Sequence, residues 1–492
     1  MQRVKHWKWG LLGVLFVLVW AIAFIQIQQA WTLLWFLVPV MGAGAVWAFL
    51  NFEGFLWLLV GLVPLSVNLS DLGQGIGMSL PSEPMMVLAL MLLVLGMILG
   101  GRPPKGLALH PVSILIGLQL VWLVISGLWG VSWVTSAKLL VARGLYLAVF
   151  YLGFSRIFQR PHKIKAILST YMVGILPVLA YAMSNLISYG ISRKSSPEMA
   201  DPFFDDHTLL GVCLAMLLPL AWLSWLHRES LLVGIKQGLI EPFLSIVLTT
   251  CLFFTFSRAA WMSVVAGAVF YLAMRMKISI SMMAIVLLMG GGVAWYNQDD
   301  LVTRFSDNQY ASGEDVLATA KSITNVSTDD SNKERLNRWA SALRMTEERP
   351  WIGFGPGTYE QSYGRFQASH QMTRISTQDG DKGDAHSEYL NTLAEQGIPG
   401  LIIQLLLWGY LLYTGMKVAY RSTSPPLAWL AMALTTGLFT YMFHGLVNSF
   451  LDIDKAASLF WLFTAGVVAL DIDWRQSIEN ENQKLTEFNP QL

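Results

Sequence analysis

The chain has 492 residues, of which 54% are hydrophobic, 12% aromatic and only 13% charged, with a formal net charge of +1. A soluble domain carries about 25% charged residues, so the composition excludes a disordered chain, a collagen-like fibre and a disulfide scaffold, and argues against a soluble multidomain enzyme. The near-zero charge balance gives no sign of a nucleic-acid partner, and the two cysteines, Cys213 and Cys251, each inside an apolar run, read as inert buried thiols.

A membrane-spanning helix needs about 20 mostly apolar residues. Such runs occur at 9–27, 31–50, 55–67, 85–100, 112–130, 134–157, 166–189, 208–226, 240–256, 259–275, 279–296, 398–419, 426–448 and 457–471. The runs at 55–67 and 457–471 are short, so the expectation is an all-α polytopic membrane protein of twelve to fourteen spans. Lys and Arg in short loops set orientation. With the N-terminus inside, the inner segments carry Arg3, Lys5, Lys8, Arg102, Lys105, Arg156, Arg160, Lys163, Lys165, Arg228, Lys236, Arg275, Lys277, Lys417, Arg421 and Arg475. The short outer segments carry only Arg193, Lys194 and Lys455. This asymmetry predicts both termini in the cytoplasm.

The expected organisation is therefore spans over 1–296, a polar outer loop over 297–397, further spans over 398–471 and a cytoplasmic tail over 472–492. Long loops escape the positive-inside rule, and a loop of about a hundred residues is too long for a plain connector. Within it, Ser331-Asn332-Lys333-Glu334 reads as a capping box opening a helix that Pro350 stops. Leu336, Trp339 and Leu343 give that helix one apolar face, flanked by Arg335 and Arg338. Gly353, Gly355 and Gly357 mark a tight turn or a close backbone approach; they lack the strand–glycine–helix context of a nucleotide site. A second helix is predicted over 384–396, with Asp384 as N-cap, His386 in its first turn and Gly397 as its stop.

Three polar clusters fall at the outer face by this topology: Asp201–His207, the hairpin tip Ser257-Arg258, and the large loop with Arg335, Arg338 and His386. Arg258 has two readings, a headgroup-contacting cation and part of an anion site. Lys138 and Arg143 lie in the outer half of one span, where ionisable groups are functional suspects, although either is also able to snorkel. His386, near free backbone N–H groups at a helix start, suits a neutral base; the bland reading is a surface histidine. Asp201, Asp205, Asp206 and His207 suit a divalent cation by type but lack ligand spacing, so helix capping is the better reading and no metal is expected.

Several of these stretches together resemble the O-antigen ligase and O-antigen polymerase superfamily of bacterial membrane glycosyltransferases. Phe256-Ser257-Arg258-Ala259-Ala260-Trp261 is similar to its Ser-Arg turn opening a span. Arg338-Trp339, followed by Pro350-Trp351-Ile352-Gly353-Phe354-Gly355-Pro356-Gly357, resembles its Arg-Trp and glycine-loop stretch. His386-Ser387-Glu388-Tyr389-Leu390, followed by Leu393-Ala394-Glu395-Gln396-Gly397-Ile398-Pro399-Gly400, resembles its histidine signature, with Ser387 where Asn is usual. Asp206-His207 before a span is a weaker match.

The resemblance implies a GT-C-like multi-span fold with a large periplasmic loop, in the bacterial inner membrane. It implies transfer of a glycan from an undecaprenyl-diphosphate carrier to an acceptor hydroxyl on another glycan, on lipid A–core or on a protein. Nucleotide sugar, metal and other cofactors are not needed. By analogy His386 is the base, and Arg258, Arg338 and Arg335 hold the diphosphate, with Arg143 and Lys138 assisting. Asp206, His207, Tyr389 and Glu395 are acceptor-site or structural candidates. Two alternatives stay open: a protein O-oligosaccharyltransferase of the same superfamily, and a lipid-linked glycan transporter or flippase.

Overall fold

The computed structural model describes residues 42–69, 77–228, 238–296, 330–373, 376 and 383–488. The chain divides into two units, Met1–Leu56 and Trp57–Leu492. Of the first unit, residues 42–50 are helical; the predicted spans at 9–27 and most of 31–50 lie outside the described residues, as does 297–329 of the predicted outer loop. Helix α1 (Phe52–Leu62) leads into the second unit.

The second unit is all-α. Among the described residues, seven helices are long and apolar enough to cross a membrane: α3 (Pro111–Leu128), α4 (Trp133–Ile157), α5 (Pro161–Tyr189), α6 (His207–Leu226), α12 (Glu388–Arg421), α13 (Pro425–His444) and α14 (Asp454–Phe488). Four shorter or less apolar helices stand among them: α2 (Ser82–Ile98), α7 (Ile240–Phe254), α8 (Arg258–Arg275) and α9 (Ile280–Tyr296). The predicted spans from 85–100 onward are thus mainly helical, whereas 55–67 leaves the helix after Leu62 and ends in a short turn and strand β1 (Val67–Asn68). The chemistry of lipid dictates the helices, because a backbone without water must satisfy its own N–H and C=O groups within the segment. Among the described residues the strands are two-residue pieces, β1 (Val67–Asn68) and β2 (Ser79–Leu80), paired antiparallel with Val67 opposite Leu80. Helices α6, α13 and α14 are the most enclosed, whereas α3 is exposed along much of its length. Cys213 and Cys251 are free buried thiols, as expected.

Helix α4 departs from α geometry over Leu147–Gly153, a π-helical stretch that follows Arg143 by four residues. Helix α12 is interrupted at Gly397 (φ 69°, ψ −175°) and resumes at once, so the predicted stop is a kink. The carbonyls freed by the kink do not go unpaired. Phe354 N–H donates to Ala394 O (3.1 Å), Gly355 N–H to Glu395 O (2.8 Å) and Trp122 Nε1 to Gln396 O (2.9 Å). In return Ile398 N–H donates to Pro350 O (2.8 Å). The glycine loop is therefore a plug for the kink. A Cβ on Gly353 would stand 2.3 Å from the Glu395 backbone, and one on Gly397 would stand 2.6 Å from the Trp351 backbone. The close-approach reading of these glycines holds.

The polar segment before α12 folds around α10 (Asp330–Glu348) and the short α11 (Tyr359–Ser362). Two expectations need correction here. Leu336 and Leu343 are exposed, and the inward face of α10 is instead Glu334, Asn337, Arg338, Ser341, Ala342 and Met345. That face is mostly polar because its groups find partners, which is the condition for burying them. Glu334 does not reach back to cap the helix start: its carboxylate takes Arg338 Nε (2.9 Å), Thr373 Oγ1 (2.9 Å) and Ser376 Oγ. A compact cluster of Ala342, Met345, Phe354, Tyr359, Tyr363, Ala385 and Ala394 joins α10, the glycine loop and the first part of α12.

Candidate active site

The site is assembled where the starts of α6, α8, α10 and α12 meet the end of α13. Ser257 caps α8, its Oγ accepting from Ala260 N–H (3.3 Å), after Phe256 turns the chain at φ 52°. This places Arg258 in the first turn, where Nη2 donates to Asn332 Oδ1 of α10 (3.2 Å). The start of α6 lies alongside, since a Cβ on Gly211 would be 2.9 Å from Ala260 Cβ. Asp206 caps α6 through Thr208 N–H (2.8 Å), and His207 Nδ1 lies 2.9 Å from its Oδ1. Burial alone would raise the Asp206 pKa; the His207 imidazole and the Thr208 hydrogen bonds outweigh it and hold the carboxyl below its ordinary range. The capping reading of this cluster therefore holds, and among the described residues no set of three or more His, Cys, Asp or Glu side chains is arranged to hold a metal ion.

Arg338 is buried in α10. Its Nε donates to Glu334, its Nη1 donates to Asp384 O (2.8 Å), and its guanidinium lies 5.1 Å above the Tyr363 ring. Much of this side chain is thus committed to protein partners. A Cβ on Gly383 would meet Nη1 at 2.9 Å, so the segment entering α12 is laid directly on this arginine.

His386 does not stand in the first turn of α12, and Asp384 is not the N-cap. Helix α12 starts at Glu388, and Ser387 caps it by accepting from Leu390 N–H (3.4 Å). His386 precedes the cap in a left-handed conformation (φ 47°). Its N–H donates to Asp384 Oδ1 (2.9 Å) and its carbonyl accepts from Trp339 Nε1 (3.4 Å). The imidazole is 38% exposed, with Nδ1 3.6 Å from Asp384 Oδ1. Burial, then Arg338 and Arg335, lower the His386 pKa to about 4. Burial raises that of Asp384 to about 6, against the His386 N–H, Arg338 and Ser449, with Asp452 acting in the same upward sense. At neutral pH the pair is a neutral imidazole beside a carboxylate.

Behind this pair lies a buried polar layer in which Glu388, His444 and Asp452 join the expected candidates Arg143, Tyr389 and Glu395. Glu388 Oε1 accepts from Tyr441 Oη (2.5 Å), Phe450 N–H and Leu451 N–H (both 2.8 Å), which fixes the link between α13 and α14. His444, buried at the end of α13, pairs through Nε2 with Asn448 Nδ2 (2.9 Å) and faces the Phe450 ring. Asp452 receives Arg143 Nε (2.5 Å) and Nη2 (2.8 Å). Arg143 thus forks onto a carboxylate of the protein itself. Lys138 is exposed on α4. Tyr389 Oη donates to Met442 O (2.9 Å), and Glu395 Oε1 accepts from Tyr359 N–H (3.0 Å), so both serve packing. The missed signal is the run Leu451-Asp452-Ile453-Asp454-Lys455, three charges in five residues between two apolar helices.

The geometry thus brings together Arg258, Arg335, Arg338, His386, Asp206 and His207 of the expected site, and leaves Lys138 outside it. No curated protein matches the chain. Residues 243–405, which contain the Ser257-Arg258 turn, Arg338, the glycine loop and His386, match the family model described as O-antigen ligase. Over this segment, about a third of its length, the chain is similar to the O-antigen ligase family.

Proposed function

We propose that this membrane protein, whose family match supports a glycan-transferring function of ligase or polymerase type, takes its glycan from an undecaprenyl-diphosphate carrier. The acceptor is a hydroxyl group, the site faces the periplasm from the inner membrane, and the reaction inverts the anomeric centre without a metal. The acceptor oxygen attacks the anomeric carbon and its proton passes to His386. The bond from that carbon to the diphosphate oxygen breaks, and its electron pair leaves with the diphosphate. A lipid diphosphate is already a good leaving group, so what remains is positioning, charge stabilisation and removal of one proton. General-base help is worth roughly 10²–10⁴-fold, and arginines pair with diphosphate oxygens through charge-assisted bonds.

The observation that carries the reading is the neutral, half-exposed imidazole of His386 beside Arg335, Arg338 and an ionised Asp384. Such a pairing offers a base and cations at one place. Arg258 and Arg335 are the primary donors to the diphosphate, and Arg338 chiefly shapes the site from beneath. The test is mass spectrometry after incubating purified protein in detergent micelles with an undecaprenyl-diphosphate-linked glycan and glycan, lipid A–core and protein acceptors. The expected result is a glycosylated acceptor and free undecaprenyl diphosphate. No product with any acceptor, together with glycan movement across proteoliposomes, would replace transfer by transport.

A further inference from the structure

We infer that Asp384 is the positioning residue of His386: its carboxylate turns Nδ1–H inward and so presents Nε2 to the acceptor hydroxyl. The inference rests on the proposed role of His386 as base and adds to it the group that sets its tautomer. Position, not sequence spacing, carries it. The same Oδ1 that accepts the His386 N–H at 2.9 Å lies 3.6 Å from Nδ1. The backbone on both sides is pinned, Asp384 O by Arg338 Nη1 at 2.8 Å and His386 O by Trp339 Nε1 at 3.4 Å. The left-handed φ of 47° at His386 is a conformation that non-glycine residues seldom adopt, and these bonds hold it there. A ring rotation closing the gap by roughly half an ångström makes the Nδ1–H···Oδ1 bond, and such catalytic bonds are commonly long before substrate arrives.

In the reaction the acceptor proton goes to Nε2 as the acceptor oxygen bonds the anomeric carbon and the diphosphate departs with its electron pair. The imidazolium so formed, with both nitrogens protonated, lies against the Asp384 carboxylate until it returns the proton to solvent. This is how an aspartate behind a histidine acts in general: it orients the ring and stabilises the cation without taking the proton itself.

The charged groups around the pair define its pH dependence. Arg335, Arg338 and Glu334 of α10 and Asp206 ahead of α6 face His386; Arg338, Asp452 and the Ser449 hydroxyl face Asp384. With Asp384 at about 6 and His386 at about 4, the working form, carboxylate plus neutral imidazole, becomes the predominant one as pH rises through about 6. As pH falls through 6 the carboxyl takes up a proton and Nδ1–H loses its anchor while the imidazole is still neutral.

The experiment is the pH profile of kcat for wild type and Asp384→Asn in detergent, with donor KM alongside. The amide oxygen still accepts the His386 N–H, so the backbone is preserved and the charge alone is lost. Expected are a kcat lower by roughly 10²-fold, a donor KM within about twofold, and disappearance of the wild-type acid limb near pH 6. A wild-type kcat, or a lowered kcat that keeps the same limb, overturns the inference. Should Asp384→Asn fail to fold, wild type alone decides: carbethoxylation of His386, read by peptide mass spectrometry, should accelerate as pH rises through about 6. A rate already at its plateau above pH 4, with no step near 6, overturns it equally. His386→Ala separates the two levels. If that variant still transfers, the base reading itself fails; if it is inactive while Asp384→Asn is normal, only the present inference fails.

Discussion

The pair Arg143–Asp452 separates two roles for a buried arginine. If Arg143 serves chiefly to hold the link between α13 and α14, its value is the energy of a largely buried ion pair. Its side chain is 10% exposed and that of Asp452 28%. Removing one partner of a buried pair costs about 3–5 kcal/mol; the part-exposed Asp452 hydrates when left alone, so about 2–4 kcal/mol is the better figure for Arg143→Ala. Asp452→Ala should cost a similar amount, because it strands the less exposed guanidinium. The double variant should cost less than the sum of the singles by about 2 kcal/mol or more, since it leaves neither charge stranded. The assay is SDS-titrated unfolding in mixed micelles for the four proteins of the cycle, with donor affinity measured in parallel. Additive stabilities, together with lost donor affinity in Arg143→Ala and unchanged affinity in Asp452→Ala, would refute the pairing argument and return Arg143 to the diphosphate.

Other expected outcomes follow from the same geometry. Gly397→Ala should destabilise the protein by more than the roughly 1–3 kcal/mol of backbone strain alone, because its Cβ would press on Trp351 and Pro350 backbone atoms at 2.6–2.7 Å; thermal melting in detergent checks this, and an unchanged midpoint contradicts the plug. Transfer should survive EDTA, because arginine side chains can hold a diphosphate by charge-assisted bonds; loss restored by magnesium or manganese would contradict this. If the Lys/Arg asymmetry sets the orientation, a cysteine at the exposed position Ser369 should react with an impermeant thiol reagent in cells with a permeabilised outer membrane, and one at Thr423 should not; the reverse pattern inverts the orientation.

What the sequence makes legible follows from where one physical rule dominates. In lipid an apolar run of span length becomes a helix, so the apolar runs from 85–100 onward are legible as helices from hydropathy alone, and among the described residues seven of these helices are long and apolar enough to cross a membrane. Glycines that need a positive φ or a close approach are also legible, which is why Gly353, Gly355, Gly357 and Gly397 mark the plug and the kink. Helix α10 is less legible. Its apolar stripe of Leu336 and Leu343 points outward, because the opposite face carries Glu334 and Arg338, already hydrogen-bonded to each other and to the His386 segment. Period alone does not reveal that a polar face has partners. Asp384 reads as a cap because acidic residues favour helix starts, yet Ser387 has the capping geometry and frees Asp384 for His386. Spacing along the chain assigns no role to Glu388, His444 and Asp452. Only the pairing of distant segments, Glu388 with Tyr441 and Arg143 with Asp452, gives them meaning.

The central claim is that His386 removes the acceptor proton at a site where arginines hold a lipid diphosphate. The most direct measurement is made on purified His386→Ala, confirmed as folded by gel filtration. Its affinity for an undecaprenyl-diphosphate-linked glycan and its rate of transfer to an accepted hydroxyl are both compared with wild type. The account predicts transfer reduced by roughly 10²–10⁴-fold with donor affinity retained. Near-normal transfer by this variant would contradict it and leave stabilisation of the departing diphosphate as the source of catalysis.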